Sequence, residues 1–188
     1  MIRRLPLLFV LLLALPSQAR EVAGVALPET VTLRGDATPL VLNGAGVRRK
    51  FFFKIYVGAL YLPGPVSTAE GVFAAAGPKR VRMVFLYDEV AREKLIRGWN
   101  EGFEANQPEA ALARLRARLD RFNGLFPDVK RGDVIDLDYL PDHGTQVWIN
   151  GRLAGTIEGA DFNRALLAVW LGEAPADADL REALLGGK

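Results

Sequence analysis

The chain has 188 residues, with 24 basic and 22 acidic side chains, one histidine and no cysteine, and half of its residues are apolar. That apolar content excludes a disordered chain, and the lack of cysteine excludes disulfides, thiolate metal sites, a cysteine nucleophile and a lipoprotein anchor. The near balance of charge excludes a sequence-wide basic field for nucleic acid.

The N-terminus reads as a leader. Arg3-Arg4 is followed by an apolar run from Leu5 to Pro16, and Ser17-Gln18-Ala19 puts small residues on either side of Gln18. This order predicts a signal peptide over 1–19, cut after Ala19. A membrane span needs about 20 apolar residues, and Gln18, Arg20 and Glu21 end the run too early. Residues 20–188 are then expected as one soluble domain, periplasmic or secreted, with no stable membrane insertion after cleavage. Arg3 and Arg4 are the only charges removed, leaving 22 basic and 22 acidic residues. Arg48-Arg49-Lys50 remains as a local basic patch.

Residues 20–30 read as a loosely ordered lead-in containing Pro28. Val31–Leu33 and Pro39–Leu42 are short strand candidates, and Asn43-Gly44-Ala45-Gly46 is expected to interrupt regular structure. Phe51–Leu62 is the clearest strand. Its odd positions (Phe51, Phe53, Ile55, Val57, Ala59, Tyr61) are nearly all apolar, which predicts packing on a core layer. Its even positions carry Lys54 and Tyr56, a face suited to floor a semi-polar cleft. Arg80–Tyr87 alternates in the same way.

From Glu89 the period becomes helical, with Leu95, Ile96, Trp99 and Phe103 in one stripe and Asp88 as the expected N-cap. A second helix begins near Pro108 and buries Leu112, Leu115, Leu119 and Phe122 before Asn123-Gly124 ends it. Strands are predicted at Asp133–Tyr139, Gln146–Asn150 and Leu153–Ile157, the last two joined by an Asn150-Gly151 hairpin turn. Helices at about Asp161–Leu171 and Asp177–Leu185 close the chain. Antiparallel strands enclosing a helical pair predict an α+β fold, a large antiparallel sheet with a layer of helices on one face.

Constellations for catalysis are sparse. His143 is the one histidine and lies in a turn, Ser67 is the only serine after the leader, and no Gly-x-Ser-x-Gly elbow occurs. No metal and no cofactor are expected. The remaining polar cluster is Arg48, Lys54 and Tyr56. A guanidinium grips a carboxylate or phenolate with two bonds and a tyrosine hydroxyl donates to the same anion, so set into an apolar cleft these groups would suit a small amphipathic acid. The same residues also read as solvated loop charges and sheet surface.

Leu42-Asn43-Gly44-Ala45-Gly46-Val47-Arg48 running into Phe51–Leu62 resembles the first half of the chalcone isomerase fold, in its bacterial exported branch. The resemblance continues through Phe85–Asn106, with Glu93-Lys94-Leu95 and Trp99-Asn100-Glu101-Gly102-Phe103, and through Gly155–Phe162 and Ala165–Gly172. It implies a large antiparallel sheet with a helical layer, and a cleft that closes chalcones to flavanones in plant enzymes or holds a fatty-acid carboxylate in binding relatives. Arg48 matches the arginine after the glycine turn, Tyr56 falls where the enzymes have a strand threonine, and Lys94 matches the helix lysine. The tyrosine three residues before that lysine is Ala91 here, and the asparagine four after it is Gly98. The implied reading is binding of an amphipathic acid by Arg48, Tyr56, Lys54 and Lys94. An isomerase (intramolecular lyase) acting on a chalcone-like or other substrate, and an envelope interaction protein without a ligand, are the alternatives.

Overall fold

The computed structural model describes residues 19–187. The signal peptide expected over 1–19 therefore lies, Ala19 apart, outside the described residues. In chain order the strands and helices begin with β1 (Ala19–Val22), β2 (Val25–Pro28), β3 (Thr30–Thr32), β4 (Pro39–Lys50), β5 (Phe53–Leu62), α1 (Ala69–Ala74) and β6 (Lys79–Phe85). There follow β7 (Glu89–Val90), α2 (Arg92–Asn106), α3 (Glu109–Asn123), β8 (Val129–Lys130), β9 (Val134–Leu140), β10 (Gly144–Ile149) and β11 (Arg152–Ile157). The chain closes with α4 (Ala160–Leu171) and α5 (Ala178–Leu184).

Seven strands form one sheet in the order β11-β10-β9-β6-β5-β4-β3, every neighbouring pair antiparallel. The α+β architecture read from the sequence is the one observed. One face of the sheet supplies Tyr56, Leu60, Val81, Met83, Phe85, Ile135, Leu137 and Val147 to the main core, which the helices close from above. An aromatic cluster sits at its centre. Trp99 meets Phe122, Phe126 and Trp170 with ring centroids 5.4–5.6 Å apart, in tilted or edge-on arrangements. Such pairs add about 0.5–1.5 kcal/mol each beyond the area they bury.

The opposite face carries a second, smaller core. There Val57, Ala59 and Tyr61 of β5 pack with Leu27, Leu33, Leu40, Leu42 and Leu140. Residues 20–30 are thus no loose lead-in: β1 and β2 form a hairpin through Ala23-Gly24, and Leu27 is buried beneath the sheet. Strands of four residues fall below what alternation can reveal. Beside this core, Arg80 and Asp138 stand directly opposite each other on β6 and β9, as do Arg82 and Asp136. Both pairs are bidentate at 2.6–2.8 Å. A one-residue slip would turn these charges into the helical core, so the ladder pins the register.

The expected break at Asn43–Gly46 does not occur; the segment lies inside the continuous β4. Asn43 is instead bulged out of the pairing with β5, and its side-chain amide holds Val66 and Leu184 with bonds of 2.7–2.9 Å. A β-carbon at Gly44 would run into the Ala183 and Leu184 carbonyls, and one at Gly46 into the Ala183 side chain. Glycine is there to let α5 lie on the strand. The start of α2 also differs from expectation. Asp128, not Asp88, accepts the Arg92 N–H at 2.7 Å, while Asp88 pairs with Arg131. The pairing of β7 with β8 brings Asp128 to that helix end.

Candidate functional site

At one end of the sheet the helical layer stands away from the strands and leaves a cleft of about 300 Å³. Small-molecule sites span about 300–1,000 Å³, so this one suits a compact ligand. Its walls come from the ends of β4 and β5, from Met83, Phe85 and Tyr87, from one face of α2, and from Val169 of α4. Ile55, Tyr56, Phe85, Leu95 and Trp99 make the interior apolar and aromatic.

Local irregularity aims β5 into this cleft. Arg48 pairs with Tyr56 and Arg49 with Lys54, which leaves Ile55 without a partner on β4. The Ile55 carbonyl accepts from both Leu86 and Tyr87 N–H, at 2.9 and 3.2 Å. A bulge of this kind interrupts the two-residue alternation. Ile55 and Tyr56 both line the cleft, as does Phe53, and Lys54 is turned out to solvent. Of the four residues expected at the site, Arg48, Tyr56 and Lys94 come together around one cavity; Lys54 does not. The even face of β5 floors the cleft at Tyr56 only, and beyond it both faces are buried.

Tyr56 is held from below. Its side chain is only 5% exposed, and its hydroxyl accepts the Trp170 indole N–H at 2.8 Å. Burial raises its pKa, with Arg48 and the Trp170 bond pulling the other way and Asp177 adding to the rise. The group is therefore a neutral phenol. An indole N–H can only donate, so the Tyr56 oxygen is the acceptor in that bond. Its own proton finds no acceptor among the described residues. The Arg48 guanidinium lies over the Tyr56 ring, 5.8 Å from its centroid.

The rim is charged. Arg48, Lys50, Lys94 and Arg97 face two carboxylates, Glu89 and Glu101. Among the described residues none of the four cations is engaged in an ion pair. Lys94, Arg97, Gly98 and Glu101 share one face of α2 because they are three, four and seven residues apart. That spacing was open to view in the sequence. Trp170, 114 residues from Tyr56 along the chain, carried no local signal of its role. Ala91, the residue just before α2, presents only a methyl group, and a β-carbon at Gly98 would meet nothing within 4 Å. Gly98 lines the cleft and leaves open space there. His143 is exposed in its turn, far in sequence from any cleft residue.

An antiparallel sheet with helices on one face, parted at one end around an apolar cleft with a cationic rim, defines an open α+β sandwich with a small-molecule pocket. The family described as chalcone isomerase-like matches residues 19–186, and the chain belongs to that family. Among solved structures it is similar to the Arabidopsis thaliana fatty-acid binding protein AtFAP1, with a TM-score of 0.64 at 18% identity. That match covers 86% of this chain and 92% of the plant protein, and it is a likeness of fold. Among curated proteins, none matches.

Proposed function

We propose that this is an exported, periplasmic binding protein for a small amphipathic acid, fatty or phenolic. Its apolar part would lie along Phe85, Leu95 and Trp99, with its acid group between Arg48 and the Tyr56 hydroxyl. The observation that carries this reading is a rim guanidinium, Arg48, in no ion pair among the described residues, set over a buried phenol on the cleft floor whose proton has no acceptor among those residues. Charge-assisted bonds from arginine and a neutral O–H are what a carboxylate needs on leaving water. That a protein of similar fold is described as a fatty-acid binding protein supports this reading. Export rests on the basic, apolar and small-residue order of residues 1–19.

Cyclisation of a tethered substrate needs donors for the developing enolate besides a grip on the attacking anion. The positions where the enzymes carry tyrosine and asparagine are Ala91 and Gly98, which offer no polar side chain. Binding is therefore preferred to catalysis. The test is titration of the purified protein with saturated fatty acids of increasing chain length and with hydroxycinnamic acids, followed by tryptophan fluorescence. Trp99 lines the cleft and Trp170 touches Tyr56, so occupancy should change the emission in a saturable way. No saturable change with any acid would reject the reading, and flavanone formation from a chalcone would replace it with an enzymatic one.

A further inference from the structure

We propose that the turn between β4 and β5 docks onto an anionic phospholipid bilayer, placing the mouth of the cleft against the membrane surface. Phe51 and Phe52 form this two-residue turn and are 83% and 88% exposed, the two most exposed large apolar side chains among the described residues. Phe53, half exposed, continues the patch and stacks edge-on against Tyr87 at 5.5 Å.

The backbone makes the choice of residue more telling. Phe51 has φ 56°, a left-handed value that suits glycine or asparagine and disfavours a bulky side chain. The two other two-residue hairpin turns, Ala23-Gly24 and Asn150-Gly151, also take left-handed values and use small or turn-forming residues. Only the turn beside the cleft carries aromatic rings. Around it stand Arg48, Arg49, Lys50 and Lys54, none of them in an ion pair among the described residues. Of the carboxylates on this side, Asp177 accepts the Arg49 backbone N–H at 2.8 Å and the Leu180 N–H at the start of α5, and Glu89 shares the cleft rim with Lys50.

Aromatic side chains ringed by lysine and arginine are the composition that lies in a bilayer interface, rings among the acyl chains and cations at the phosphates. Phe51, Phe53 and Lys50 also line the cleft, so docking the turn would bring its opening to the lipid. Among the described residues no helix is long and apolar enough to cross a membrane, and the contact proposed is peripheral. It rests on the turn alone; its purpose, loading or unloading an acid that dissolves poorly in water, rests on the binding reading above.

The experiment is co-sedimentation of the mature protein with vesicles of phosphatidylglycerol and phosphatidylcholine, against vesicles of phosphatidylcholine alone. Phe52→Ser and Lys54→Gln are the variants, because neither residue lines the cleft and both are exposed. Binding is expected to the anionic vesicles and to weaken as salt is raised. Phe52→Ser should weaken it roughly tenfold and Lys54→Gln about fivefold, while fatty-acid affinity in solution is unchanged. No binding to anionic vesicles at low salt, or equal binding by wild type and both variants, overturns the proposal. So does self-association without lipid that Phe52→Ser abolishes, since a second copy would then cover the turn. Vesicle binding without acid binding would reject the binding reading alone, and acid binding without vesicle binding would reject the membrane contact alone.

Discussion

Trp170 donates its indole N–H to the hydroxyl of Tyr56 at 2.8 Å, joining the last turns of α4 to the strand that floors the cleft. Both groups are buried, so neither has water to replace the other. The bond decides the direction of the Tyr56 proton: the oxygen is used by the indole, and the proton has no acceptor among the described residues.

Replacing either partner alone should be costly. Tyr56→Phe strands a buried N–H and Trp170→Phe strands a buried hydroxyl, each costing about 1–3 kcal/mol. The double variant should lose less than the sum, because it removes both unsatisfied groups at once. Denaturant titration of the four proteins checks this. Tyr56→Phe should also weaken acid binding beyond what its stability change explains.

Gly98 separates stability from function. Its missing side chain faces open space in the cleft wall, within a helix. Gly98→Ala is expected to stabilise the protein by about 1 kcal/mol through helix propensity, with binding preserved. Gly98→Phe should fold and fill the cleft, abolishing the fluorescence response to acids. Thermal melts together with the titration read both outcomes.

The Arg80–Asp138 pair lies on the face of the sheet away from the helices, with the Asp138 side chain 1% exposed. Removing one partner leaves a buried charge, and Asp138→Ala is expected to cost about 3–5 kcal/mol. Acid affinity at a temperature where the variant is folded should be unchanged. A specific loss of affinity would mean that the two faces of the sheet are coupled.

Burial raises the pKa of both Tyr56 and Tyr61. For a group whose folded value is raised, the stabilisation is complete below the unfolded value, about 10 for tyrosine, and is lost as pH rises through the folded value. Stability should therefore fall on the alkaline side from about pH 10 upward. In a spectrophotometric titration these two phenols should ionise at higher pH than a free tyrosine. Ionisation of Tyr56 and Tyr61 at the pH of an unburied tyrosine would contradict the burial.

Much of the fold was legible because long elements advertise their period. The stripe Leu95, Trp99, Phe103 and the alternation Val81, Met83, Phe85 place α2 and β6 on the same core, and Asn150-Gly151 makes its turn with both residues at positive φ. The hairpin of β1 and β2 and the six-residue α1 were too short to show a period. The glycines of β4 read as a break because the helix that needs their bareness, α5, comes more than 130 residues later. Arg48 and Tyr56 stood out in the sequence together with Lys54, and Lys94 was added by resemblance, but Lys54 could not be set aside. Its direction depends on the Ile55 bulge, which arises from pairing with β4 and β6 and not from anything local to β5.

Calorimetric titration with a medium-chain fatty acid and its methyl ester, in wild type and in Arg48→Ala, puts the acid-binding cleft to the most direct test. Saturable binding of the acid is expected, with the ester weaker by about tenfold or more and Arg48→Ala reducing the acid to the level of the ester. Equal affinity for acid and ester in both proteins, or no saturable binding of either, would contradict a cleft built to hold an acid group at Arg48.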